Sequence, residues 1–241
     1  MKYTLMKLRA VIFGVCLLVT VNFAYAKIVI VANTMPGLLE VEGKNKPYNK
    51  VLNELMLSTH LAADIVYAPP ARAAKLFDDR KANCIFPASK KFINEVPKPI
   101  SSNPINFAKA YFFTLKPYAN VEIINNPSLS IGIRRGFTYG EALKGIAKHK
   151  LVEVNTDAQN LGLIKKGRID AFVAYIPDLN QQLIRDNKLY FNESVYVHDE
   201  SFVCHNSPKN SRFLKELDLI ITKLRKQGKL AALLGVHYVA P

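Results

Sequence analysis

The chain has 241 residues, 49% of them hydrophobic, and carries 33 lysines and arginines against 19 acidic residues, a formal charge of +14. That length supplies one large domain or two small lobes that each bury a core. The basic excess bears on solubility and attraction to anionic partners rather than on fold, and the dispersal of the lysines along the chain argues against a nucleic-acid partner.

The chain opens with Lys2, Lys7 and Arg9, continues through an apolar run at 10–23 and reaches Ala24-Tyr25-Ala26, which has the small-x-small pattern of a cleavage site. This predicts a secretory signal peptide over 1–26, cleaved after Ala26. An uncleaved anchor is the alternative, but the run is short and ends in a cleavage pattern. A lipid on Cys16 fits less well, because that cysteine stands in mid-run after Val15. Beyond the leader the remaining cysteines are Cys84 and Cys204. In an oxidising compartment such a pair is expected to form a disulfide. Two inert thiols are one alternative, and a metal site among His198, Asp199, Cys204 and His205 is another, although that spacing matches no standard zinc pattern. No metal and no cofactor is expected.

In chain order, 27–32 predicts a β-branched strand with an Asn33-Thr34-Met35-Pro36-Gly37 loop at its end. Val51, Leu52, Leu55 and Met56 have the spacing of a buried helical stripe. A strand at 64–67 stops at Pro69-Pro70, a short helix covers 72–79 and a strand covers 83–86. The apolar, aromatic run 107–115 predicts a long strand. Residues 130–133 form a short strand, Arg134-Arg135-Gly136-Phe137-Thr138 a turn, and 139–147 a helix whose first amides, capped by Thr138, could seat an anion. After a strand at 151–154, Asp157 is placed to cap a helix that ends at Gly167, and 169–175 is a buried strand. Such a strand delivers Tyr175, Pro177 and Asp178 to its C-terminal edge, where open α/β sheets bind ligands. A helix near 179–186, a strand at 189–191 and an extended run at 194–204 follow. The last helix presents Phe213, Leu214, Leu217, Ile220, Ile221 and Leu224 on one face, and a short apolar helix at 230–234 closes the chain.

The helix and strand around 72–86 repeat those around 160–175 in outline. Setting Asn83 under Asp170 puts Ala88 under Tyr175 and Arg80 at the place of Gly167. This is a shared supersecondary unit, and it suggests two similar α/β lobes. Arg72, beside a proline pair at a strand end, is a candidate anion ligand or a surface arginine. Phe137, Tyr111 and Tyr175 are candidate pocket rings, with core packing as the other reading for Phe137 and Tyr111. Asp170 reads as structural.

Pro70-Ala71-Arg72-Ala73, Ile131-Gly132-Ile133-Arg134-Arg135-Gly136, Lys166-Gly167-Arg168-Ile169-Asp170-Ala171-Phe172 and Leu224-Arg225-Lys226-Gln227-Gly228 together resemble the family 3 extracellular solute-binding proteins, the periplasmic components associated with polar amino acid uptake. The likeness spans 27–238. It implies an α/β, type 2 periplasmic-binding-protein fold: two lobes, each a mainly parallel sheet flanked by helices, joined by two crossing strands at 107–115 and 195–204. One lobe would be 27–115 plus 204–241 and the other 116–203, so that a Cys84 to Cys204 bond braces a lobe without locking the hinge. Members that bind α-amino acids carry an arginine shortly after the strand matching 83–86, where this chain reads Ser89-Lys90-Lys91-Phe92. They also carry an acidic residue five positions after the one matching Asp170, where this chain has Tyr175.

The resemblance therefore implies a periplasmic, non-enzymatic, monomeric protein. It would trap a small polar solute, anionic or amino-acid-like, with Arg72, Ser89, Tyr111, Arg135, Phe137, Thr138 and Tyr175 as ligand-binding candidates. The partner would be an ABC permease or a membrane sensor, and the membrane would be reached only through that partner. A non-transport sensor accessory protein, and a lyase or dehydratase on the same scaffold, are the other readings.

Overall fold

Short β-branched strands alternate with amphipathic helices to give an α/β chain, which a computed structural model describes over residues 27–93, 97–137, 139–176, 179 and 181–240. The expected leader, Thr138, Pro177 and Asp178 lie outside the described residues. The strands are β1 (Ile28–Asn33), β2 (Ala63–Ala68), β3 (Cys84–Ala88), β4 (Ile100–Ser101), β5 (Asn106–Thr114), β6 (Ile131–Arg134), β7 (Leu151–Val154), β8 (Ala171–Ile176) and β9 (Tyr196–Cys204). The helices are α1 (Pro47–Ser58), α2 (Pro70–Asp78), α3 (Asn120–Asn125), α4 (Asp157–Lys165), α5 (Gln181–Asp186), α6 (Pro208–Lys226) and α7 (Lys229–Leu234). The hydrogen-bonded strand order is β2-β1-β3-β9-β5-β8-β6-β7, with β4 on β9.

That order places two parallel sets side by side. β2, β1 and β3 are mutually parallel, as are β8, β6 and β7. Between them β5 and β9 run antiparallel to each other, from Asn106 opposite Glu200 to Ala110 opposite Tyr196. The far end of β9 pairs with β3, and the far end of β5 pairs with β8. Each long strand therefore belongs to both halves of the sheet.

The apolar core divides in the same way. Ile30, Phe86 and Phe202 from the β1–β3 side meet Leu52 and Leu55 of α1 and Phe213 and Leu217 of α6. On the other side β8 is buried on both faces: Ala171, Val173 and Tyr175 join one cluster, while Phe172 and Ala174 join another with Phe113. Full burial on both faces is what its unbroken apolar sequence requires. Helix ends follow their sequence signals. Pro47 and Pro208 occupy first-turn positions, and Ser207 accepts a hydrogen bond from the Asn210 amide.

The matched helix and strand units agree at the level of the backbone. Arg80 has φ +57° and Gly167 has φ +63°, the same left-handed closure, which costs an arginine more than a glycine. Asn83 accepts from the Val29 amide at 2.8 Å while its own amide donates to the Val29 carbonyl. Asp170 does the same with Ser130, accepting from its amide at 2.8 Å and its hydroxyl at 2.9 Å. Asp170 thus lies just before β8 and fastens it to the entry of β6.

Three local expectations need correction. The helix expected at 139–147 is only a 3-10 turn over Gly140–Leu143. Gly140 and Gly145 both take positive φ there, and a Cβ on Gly140 would lie 2.4 Å from the Tyr196 ring. Asp157 does not cap α4: Thr156 is the cap, in a capping box with Gln159, and Asp157 instead pairs with Arg134 at 2.9 Å. The strand expected at 189–191 is a single bridge from Tyr190 to Thr114.

Candidate functional site

The C-terminal ends of β1, β3 and β8 meet the middle of β5 and β9, and a cleft, open at its mouth, lies where they converge. Asn33 ends β1, and Pro87 and Ala88 end β3. Tyr175 stands near the end of β8, while Gly136 and Phe137 follow β6. The floor is the paired strands themselves. Ala108 of β5 lies directly opposite His198 of β9, and Glu200, two residues on, lines the same cleft. Alternation along a strand puts His198 and Glu200 on one face. Ala88 and Tyr175, the residues matched in the two repeated units, both reach the cleft.

Aromatic rings enclose His198. Phe92 meets it edge-on with centroids 4.9 Å apart, Tyr175 meets it at 89° and 4.8 Å, and Tyr196 lies at 6.1 Å. Tyr139 stacks behind Tyr175 at 5.4 Å. Burial drives the imidazole pKa down to about 4; the Asp199 carboxylate opposes that shift and the exposed Lys91 ammonium adds to it. At neutral pH the ring is uncharged, and its buried Nδ1 has no hydrogen-bond partner among the described residues. Asn33 Oδ1 is in the same condition. A buried polar atom left without a partner is costly, so two of them facing one cleft mark where a bound molecule gains hydrogen bonds.

Glu200 is the charged group of the floor. It accepts a hydrogen bond from the Tyr48 hydroxyl, which in turn accepts one from Asn106 Nδ2 at 2.7 Å. Asn106 also donates to the His237 carbonyl and accepts from the Val239 amide, which ties the end of the chain to β5.

The residues expected from sequence to bind ligand separate into four groups. Tyr175 and Phe137 line the cleft. Ser89 is buried beside it but is engaged elsewhere, donating to Asp199 at 3.0 Å and capping the 3-10 turn Lys90–Phe92. Arg72, Tyr111 and Arg135 are not on the described cleft wall. Arg72 is exposed on α2, though Pro70 of that helix touches the cleft. Tyr111 points to the opposite face of β5, against Phe113 and Phe191. Arg135 is exposed and faces Glu153 at 3.4 Å. Thr138 lies outside the described residues, and the helix it was to cap is absent. Cys84 and Cys204, directly opposite in the β3–β9 pair, form a disulfide. With Cys204 so engaged, the metal alternative loses a ligand, and no metal-binding group is found among the described residues.

Asn33, Phe92 and Glu200 were not identified from sequence as site residues, and His198 was weighed only as a metal ligand. Asn33 was read as the first residue of the loop, whereas it ends β1, at the strand edge where ligands of such sheets collect. For His198 and Glu200 the available signal was two polar residues alternating on a strand that crosses between lobes.

No protein-family model matches the sequence, and comparison with curated proteins finds no relative. Solved structures do match. The ligand-binding domain of AvGluR1, in complex with glutamate, aligns with a TM-score of 0.69 at 18% identity, over 88% of this chain and 95% of that one. An amino acid ABC transporter substrate-binding protein from Streptococcus pneumoniae, bound to L-arginine, aligns at 0.65 and 15% identity over 87% and 93%. A histidine kinase sensor domain similar to periplasmic binding proteins aligns at 0.65 and 15% over 86% and 94%. At these identities the likeness is one of fold.

Proposed function

We propose that this chain, which has the type 2 periplasmic-binding-protein fold, is a solute-binding protein that traps a small polar solute in the cleft over β5 and β9. The observation that carries this reading is the pair of buried polar atoms without a partner among the described residues, Asn33 Oδ1 at the end of β1 and His198 Nδ1 on the floor, in residues that line one cleft. The moving bodies are lobe 1, 27–115 with 204–241, and lobe 2, 116–203. Closing them brings Tyr175 and Phe137 toward Asn33, Pro87 and Phe92, so the full set of contacts exists only in the closed form. That differential is what lets a solute shift the equilibrium toward closure. The protein works in the periplasm as a monomer and hands its solute to an ABC permease or a membrane sensor. The named functions of the solved neighbours, one from a transporter and one from a sensor kinase, favour those two partners.

A thermal-shift screen across amino acids, small carboxylic acids, amines and oligosaccharides tests the reading. At least one compound is expected to raise Tm, by mass action on the folded state, and to be recovered unchanged by mass spectrometry. No stabilisation across the whole set would overturn it, and recovery of a product would favour the lyase reading.

A further inference from the structure

The cleft wall is selective in sign. Among its described residues Glu200 is the one with a formal charge, and His198 is neutral. No arginine or lysine is among them. The remaining polar atoms include the Asn33 side-chain oxygen, which can only accept hydrogen bonds. The rest of the wall is largely ring and aliphatic surface from Phe92, Phe137, Tyr175, Met35 and Pro87. We infer that the cleft takes a small organic cation: a protonated amine whose N–H groups meet Glu200 and Asn33, and whose flat or apolar body lies against the rings. This deepens the solute-binding reading above and rests on it.

The orientation follows from Phe137. The Arg134 guanidinium, held by Asp157, already lies 3.5 Å from the centre of the Phe137 ring. A second cation on that ring is disfavoured, so the ammonium group belongs at the floor and the uncharged body at the Phe137 end. Phe92 and Tyr175 are the rings next to the floor histidine, and it is the faces of such rings that attract a cation. Two features oppose a cation. Lys91 is near enough to disfavour the charged form of His198, but it is exposed to water. The molecule's formal charge of +14 is spread over its surface, and charges more than about 8 Å away are largely screened at physiological salt, so the buried carboxylate in direct contact decides the sign.

The inference differs from recognition of an α-amino acid by its carboxylate, because the described wall offers no cation to grip one. Matched sets separate the two: phenylalanine, phenethylamine and 3-phenylpropanoate share one skeleton, and arginine and agmatine share another. In calorimetric titrations the amines are expected to bind and the acid is not, with the amine equal to or tighter than its parent amino acid. Glu200→Gln, which keeps an acceptor for the Tyr48 hydroxyl, is expected to weaken amine binding about tenfold to a hundredfold. Phe92→Leu should weaken it as well and leaves the Tyr48 contact untouched, so a folding defect in one variant does not decide the matter. Binding of 3-phenylpropanoate or of amino acids, with no binding of the amines, overturns the cation assignment while leaving a solute-binding cleft in place. Binding of none of these and of no compound in the wider screen overturns both.

Discussion

His198 is where the cleft's chemistry is most exposed to measurement. The unfolded chain takes up a proton on this residue near 6.5, the folded chain only near 4. Between those values protons bind the unfolded state preferentially, so stability is full above about pH 6.5 and falls as pH drops toward 4, by at most about 3 kcal/mol from this residue. Urea denaturation of wild type and His198→Phe across that window checks it: the wild type is expected to lose stability more steeply, and parallel curves would contradict the burial assigned to the ring. Residues of this kind were hard to read in advance. Tyr175 was found by its place at the C-terminal edge of a buried strand, whereas Arg72, noticed for following a proline pair at a strand end, and Arg135, in the turn after a strand, proved exposed. Charge alone says nothing of the direction a side chain takes. Strand position does, and His198 and Glu200 were both legible by it.

Among the elements, the two repeated helix and strand units carry the clearest sequence signal and the clearest structural correspondence. Asn83 and Asp170 each bind the amide at the entry of the neighbouring parallel strand. Alanine at Asp170 removes acceptors for two donors, one of them backbone, and is expected to cost about 1–3 kcal/mol. Alanine at Asn83 is expected to cost less, since one neutral bond is lost rather than two charge-assisted ones. Chemical denaturation of both variants gives the order, and a larger loss at Asn83 would count against the equivalence drawn here. Strands and long helices were predicted to within a few residues because apolar periodicity fixes them. The failed element, 139–147, had a helical apolar pattern but two glycines, and each costs about 1 kcal/mol in a helix interior relative to alanine. In a short segment that penalty outweighs the pattern.

Over the whole molecule, the α/β class was legible from the order of elements and the two crossing strands from the family resemblance, and β5 and β9 are indeed the long runs that the other strands flank. The cleft's solute was not, because it depends on side chains from strands far apart in sequence. The disulfide links residues separated by 120 positions and ties β3 to the end of β9, away from Tyr196–Glu200, which pair with β5. Replacing both cysteines by alanine is expected to lower stability by about 2–5 kcal/mol, read from denaturant midpoints, while leaving solute affinity within a few-fold. A large loss of affinity in a folded double variant would show that the bond also sets the hinge. The central claim, that the cleft between the two halves is the solute site, is tested most directly by amide and side-chain NMR mapping with a compound that raises Tm. Perturbations are expected to centre on Asn33, Phe92, Phe137, Tyr175 and the His198 imidazole, with smaller changes along β5 and β9 as the halves close. Perturbations confined to an outer surface, with these five residues unmoved, would contradict it.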